Sequence, residues 1–234
     1  MRSHPKTLRI VLYFLIGLTL CLATVGLKVI ATWAIETYLY ALPVVGGLFA
    51  SLELMEISSV ILVAMLALAL GVLTIYLPSV WPLAGKLVLL ALGIPLIIAA
   101  GHITRQTIWV QRVSLNAGIS PVQAQEVTDA FLRQQTGQDG GWAYYRYTAE
   151  NPQPPLAFEN ITALTAEDMT ALQSQLSEAS GLNVGWFSTL FSWVGWLIRF
   201  VYGVVTGLIA VIYFFKGKQW AEQQTPQRQT PQSP

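Results

Sequence analysis

Four ionisable side chains stand in or beside strongly apolar sequence: Glu53 and Glu56 in "SLELMEISSV", His102 in "AAGHITRQ" and Arg199 in "FSWVGWLIRFVYGVVTG". Carboxylates three residues apart share one helix face. Ionisable groups within apolar helices build ion or proton pathways, whereas at a helix end they cap it and face water. The sequence therefore sets two roles against each other. In one, Arg199 is partly buried and pairs with Glu53 or Glu56, and with His102 these side chains form a polar pathway. In the other, the two glutamates cap a helix N-terminus and Arg199 marks a membrane boundary. The boundary role is expected for Arg199: counting back about 16 residues from Phe215, it stands roughly 24 Å along a helix, a turn from the outer edge of a ~30 Å hydrocarbon core, where its guanidinium reaches the headgroups.

Other chemistry has little to work with. The chain has two histidines, His4 and His102, and one cysteine, Cys21. An intrachain disulfide and a paired-cysteine zinc site are excluded by that count. There is no HExxH, CxxC, serine nucleophile elbow, P-loop or dinucleotide fingerprint. No catalytic, cofactor or metal residue is assigned, although paired carboxylates alone suffice for general acid–base work.

The elements that must carry these residues follow from composition. Of 234 residues 54% are hydrophobic and 11% charged, against about 25% charged in soluble domains. An all-α integral membrane protein is expected, with four spans of about twenty residues: about 9–29, 57–77, 82–101 and 196–215. Pro78 and Pro82 turn the second span into the third, and Pro95 inside the third predicts a kink. The domain reading is a three-helix membrane region over 1–101, a loop module over 102–183, an interfacial helix and fourth span over 184–215, and a disordered tail over 216–234. Arg2, Lys6 and Arg9, Lys86, and Lys216 with Lys218 put both termini on the cytoplasmic side, with Arg105 and Arg112 opposing that assignment; the lysine-poor, glutamine- and tryptophan-rich composition with its Gln/Pro tail is of a style expected in a bacterial plasma or photosynthetic membrane.

The large non-cytoplasmic loop holds eight acidic residues against four arginines, a net charge of −4. Two short amphipathic helices are expected in it. One opens with a capping box at Ser120 and Gln123, closes at Gly137, and buries Val122, Val127, Ala130 and Phe131. The other runs from Thr165 to Gly181 with Met169, Leu172 and Leu176 on one stripe. Between them "GGWAYYRYTAE" reads as a strand-like aromatic piece. Trp142, Tyr144, Tyr145 and Tyr147 suit a partner contact. They do not suit nucleic acid, because the acidic loop offers no basic groove. Gly203 and Gly207 form a GxxxG, which admits close approach of another helix.

This layout, with a short outer segment, a tight inner hairpin and a large outer loop before the last span, is similar to that of tetraspanins. In that family the large loop carries a CCG motif and disulfides, and here it has no cysteine. The expected function is non-catalytic: a scaffold, assembly factor or accessory subunit in contact with the lipid bilayer and a membrane-protein partner or a second copy. A transporter or channel component using the membrane-edge carboxylates is the alternative, and a membrane enzyme the third.

Overall fold

The structure is a computed structural model that describes residues 6–40, 42, 46, 49, 53–76, 83–151, 154–156, 161 and 184–224. The elements in chain order are α1 (Lys6–Ala34), a single π-helical turn (Ile35–Leu39), α2 (Leu54–Tyr76), α3 (Leu83–Ala117), α4 (Pro121–Thr136), α5 (Gly140–Glu150) and α6 (Val184–Gln224). No strand occurs among the described residues. Four stretches are long and apolar enough to cross a membrane: Ile10–Leu39, Leu54–Tyr76, Gly85–Ala117 and Gly195–Gln224. Their outer surfaces carry large apolar side chains such as Leu22, Ile61, Leu92 and Leu208, which in a soluble helix would be turned inward.

Three of the four, of 30, 33 and 30 residues, run longer than the roughly twenty residues a hydrocarbon core requires. Helix α3 does not stop at 101 but continues to Ala117, because "TRQTIWVQRVSLNA" contains no glycine or proline and sets Arg105, Trp109 and Val113 on one buried stripe. It breaks only at Gly118, whose φ of 64° is the left-handed conformation that glycine adopts freely. Helix α6 is one continuous element from Val184 to Gln224. The expected tail is therefore helical over 216–224, where Lys218 and Glu222 pair at i,i+4 and Ala221 is buried.

The chain divides into two compact units. The first comprises Met1–Lys28, Ser58–Ile98 and Val204–Pro234. Its core is apolar and includes Tyr13, Val63, Leu66, Leu70, Ile97 and Phe214. Backbones approach closely there: a Cβ added at Gly71 would collide with the Phe214 carbonyl, and one at Gly217 with the Leu68 carbonyl. A buried lysine, Lys28, donates from Nζ to Ser58 Oγ at 2.7 Å.

The second unit comprises Val29–Ile57 and Ala99–Gly203. Its apolar core joins Trp109, Val110 and Val113 of α3 to Ala124, Phe131 and Leu132 of α4 and Ala143 and Tyr144 of α5. The capping box forms as read: the Gln123 amide N–H donates to Ser120 Oγ, and the Ser120 amide N–H to Gln123 Oε1. The buried face of α4 is rotated from the expected one. Ala124, Thr128, Phe131 and Leu132 turn inward, while Val122 and Ala130 are exposed. Two aromatic rings of α5 and α3 decide the facing side: Tyr147 meets Phe131 edge-on at 5.2 Å, and Trp109 meets it at 6.2 Å. Burial pushes the Tyr147 phenol up to about 12. At the α4–α5 corner Arg133 hydrogen-bonds Asp139 and holds its carboxyl below the usual carboxylate range.

The aromatic piece is a helix, not a strand. In α5, Tyr144 and Thr148 stand one turn apart on the buried face, a period of 3.6 that outweighs the strand preference of Tyr and Trp. The helix expected over Thr165–Gly181 lies outside the described residues.

Candidate functional site

The second unit gathers all four candidate polar residues. Glu53 sits in the turn that opens α2, at φ 51°, a conformation uncommon outside glycine. The Glu56 amide N–H donates back to its carbonyl at 2.7 Å. That turn points the two carboxylates at different partners. Arg199 of α6 donates to Glu53 Oε1 from Nε at 3.2 Å and from Nη2 at 3.1 Å. His102 of α3 meets Glu56 Oε1 through Nε2 at 2.9 Å.

Helix α5 closes the cluster. The Arg199 guanidinium donates to the Tyr145 carbonyl and, from Nη2, to Thr148 Oγ1 at 3.1 Å. Its carbon lies 4.3 Å from the Tyr145 ring centroid, within cation–π range. The His102 ring meets the same tyrosine edge-on at 4.6 Å. Tyr145 thus separates the two charge pairs while touching both. Helix α6 comes this near because Gly195, one turn before Arg199, has no side chain: a Cβ there would overlap the Ala149 carbonyl. The Gly195 to Arg199 spacing of four residues is the signal that sequence reading passed over.

Arg199 is 6% exposed and Glu53 5%. The expectation that this guanidinium reaches headgroups therefore fails: its donors are used inside the protein. Glu56 does stand in the first turn of α2, where the helix dipole favours a carboxylate, but its side chain faces His102 and that of Glu53 faces Arg199 instead of water. Glu56 and His102 are equally buried. Two carboxylates thus share the site with one guanidinium and one imidazole. Two buried atoms, Glu53 Oε2 and His102 Nδ1, have no hydrogen-bond partner among the described residues.

The aromatic residues separate. Tyr144 is fully buried and Tyr147 packs on Phe131, so neither is free for a partner; Trp142 alone is well exposed, at 60%. It stacks on Tyr145 at 5.4 Å. A Cβ at Gly203 or Gly207 meets nothing within 4 Å among the described residues, and the close helix–backbone approaches within the chain fall at Gly71, Gly195 and Gly217. A lone glycine opposite a backbone leaves no repeat to find in sequence. Among the described residues no three His, Cys, Asp or Glu side chains gather as a metal site would require.

Fold and site together define an all-helical protein with four helices suited to crossing a membrane and a buried charge cluster in its second unit. No protein-family model, curated protein or solved structure matches the chain.

Proposed function

We propose that the chain is a multi-pass membrane protein that relays protons, with Glu56 and His102 as the pair that holds and passes the proton and Arg199 with Glu53 as the fixed charge beside it. The observation that carries this reading is the 2.9 Å Glu56–His102 contact in a buried site, next to two buried polar atoms, Glu53 Oε2 and His102 Nδ1, that have no partner among the described residues. Orphaned polar atoms of this kind mark a place where water or a mobile proton completes the network. Histidine and a carboxylate are the side chains suited to such exchange near neutral pH. The Tyr145 ring lies against both Arg199 and His102.

Reconstituted in liposomes with an internal pH dye, the protein collapses an imposed proton gradient, and Glu56→Gln or His102→Gln slows that collapse by at least about tenfold. A wild-type rate equal to that of empty liposomes overturns the relay. The scaffold or assembly-factor reading is then preferred, supported by the exposed Trp142. It requires that crosslinking in native membranes capture a membrane-protein partner or a second copy; recovery only of lone monomer removes it.

In this reading both termini lie on the cytoplasmic side and α4 and α5 on the other. Lysines near the helix ends support that orientation, and Arg105 and Arg112 count against it. In a Cys21→Ser background, an impermeant thiol reagent applied to intact cells labels a cysteine placed at Ser120 and spares one at Gln224. The opposite pattern reverses the orientation.

A further inference from the structure

A second polar site lies along α3, beyond the relay pair and independent of it. The buried stripe of this helix continues from His102 to Arg105, Trp109 and Arg112. Arg105 pairs with Glu36, and Arg112 donates from Nη2 to the Glu36 carbonyl at 2.6 Å, with Nη1 3.5 Å from its carboxylate. The π-helical turn, Ile35–Leu39, is what presents Glu36 there, with both its carbonyl and its carboxylate engaged. Around these groups is a cavity of about 160 Å³, walled by Tyr40, Trp109, Tyr144, Pro154 and Leu156. A single water occupies a share of only ~30 Å³ in the liquid.

Three features point to an occupant. The wall carries two guanidiniums and one carboxylate, a surplus of one positive charge. Tyr144 is fully buried, yet its hydroxyl has no hydrogen-bond partner among the described residues, an arrangement costly to leave unfilled. Its ring stacks on Trp109 at 5.4 Å, so it cannot swing away to find one without breaking the core. Meanwhile Arg112 is about one-third exposed, 32%, which puts a cation at the mouth.

We infer that this cavity binds a monoanionic phosphate group, with Arg105 and Arg112 opposite the charge and the Tyr144 hydroxyl donating to one oxygen. A tetrahedral phosphate presents oxygens in several directions, matching donors that converge from two helices; a planar carboxylate would satisfy one arginine fork and leave Tyr144 unmatched. The aromatic and apolar wall of Trp109, Pro154 and Leu156 accepts the ester side of a phosphodiester. Such a group comes either from the headgroup of an anionic lipid or from a soluble phosphate.

Thermal unfolding of the full chain distinguishes the sources. One arm adds inorganic phosphate in detergent at constant ionic strength; the other compares nanodiscs of phosphatidylcholine with nanodiscs also containing phosphatidylglycerol. Near saturation Tm rises by roughly 5–10 °C. A rise with phosphatidylglycerol alone assigns a lipid headgroup, and a rise with inorganic phosphate assigns a soluble ligand. Tyr144→Phe, which removes only the unpartnered hydroxyl, weakens the response about five- to tenfold in apparent affinity, and Arg112→Gln at the mouth does so at least as strongly. No rise in either arm overturns the site, as does a rise that both variants retain in full.

Discussion

Replacing Arg199 by methionine lowers the stability of the protein by about 3–5 kcal/mol, the range for removing one partner of a buried ion pair. The variant strands Glu53, whose Oε1 loses both its donors from Arg199 and whose Oε2 already has none among the described residues. Against a typical total of about 5–15 kcal/mol, that is a large fraction of the folded state. The loss does not measure the worth of the pair. Replacing Glu53 and Arg199 together by methionine returns stability to near the wild-type value, because the desolvation of two charges is avoided along with their attraction. Thr148 keeps its bond to the Tyr144 carbonyl in either case. Arg199→Lys is not conservative here, since one ammonium on a flexible stem cannot hold Glu53 and Thr148 in a fixed fork. Thermal unfolding in detergent of the two single variants and the double variant completes the cycle. A double variant as unstable as Arg199→Met would show that the guanidinium acts through something other than Glu53.

The second large effect lies in the first unit. Gly71→Ala lowers stability by about 1–3 kcal/mol, and Gly217→Ala by a similar amount. The methyl at Gly71 meets the Phe214 carbonyl and comes 3.1 Å from the Lys218 amide nitrogen. The obstacle is backbone, so no rotamer change relieves it, and α2 and α6 must move apart. The effects are less than additive, since the first methyl opens the gap that the second needs. Gly203→Ala and Gly207→Ala are the controls. With nothing within 4 Å of either position, alanine gains up to about 1 kcal/mol in helix propensity. Thermal unfolding separates the two groups. A loss at Gly203 comparable to that at Gly71 would place another helix against it, as the GxxxG reading expects.

These outcomes trace where sequence and structure part. The four spans were legible because apolar length is a local property: each run from 10–39 to 195–224 is apolar enough to be seen without neighbours. So was the start of α4, where Ser120 and Gln123 need only each other. Arg199 was misplaced because its partners Glu53 and Thr148 are 146 and 51 residues away, and no periodicity reports them. The end of α3 was missed for a related reason. His102 and Arg105 look solvated by type, and only their shared helical face with Trp109 shows that they point inward. In α5 composition argued for a strand while the spacing of Tyr144 and Thr148 argued for a helix, and spacing prevailed.

The lone cysteine gives the first unit a clock. Cys21 is 4% exposed, its thiol facing the Leu89 carbonyl at 3.8 Å, and no other cysteine in the chain competes with it. A thiol reagent therefore reacts only when that core opens, and its rate relative to a free thiol is an opening constant, each tenfold slowing corresponding to about 1.4 kcal/mol of protection. The native chain thus carries its own reporter. A methyl at Gly71 should quicken the labelling of Cys21, whereas the exchange of Arg199 and Glu53 for two methionines, made in the other unit, reads out on the same thiol only insofar as the two units open together.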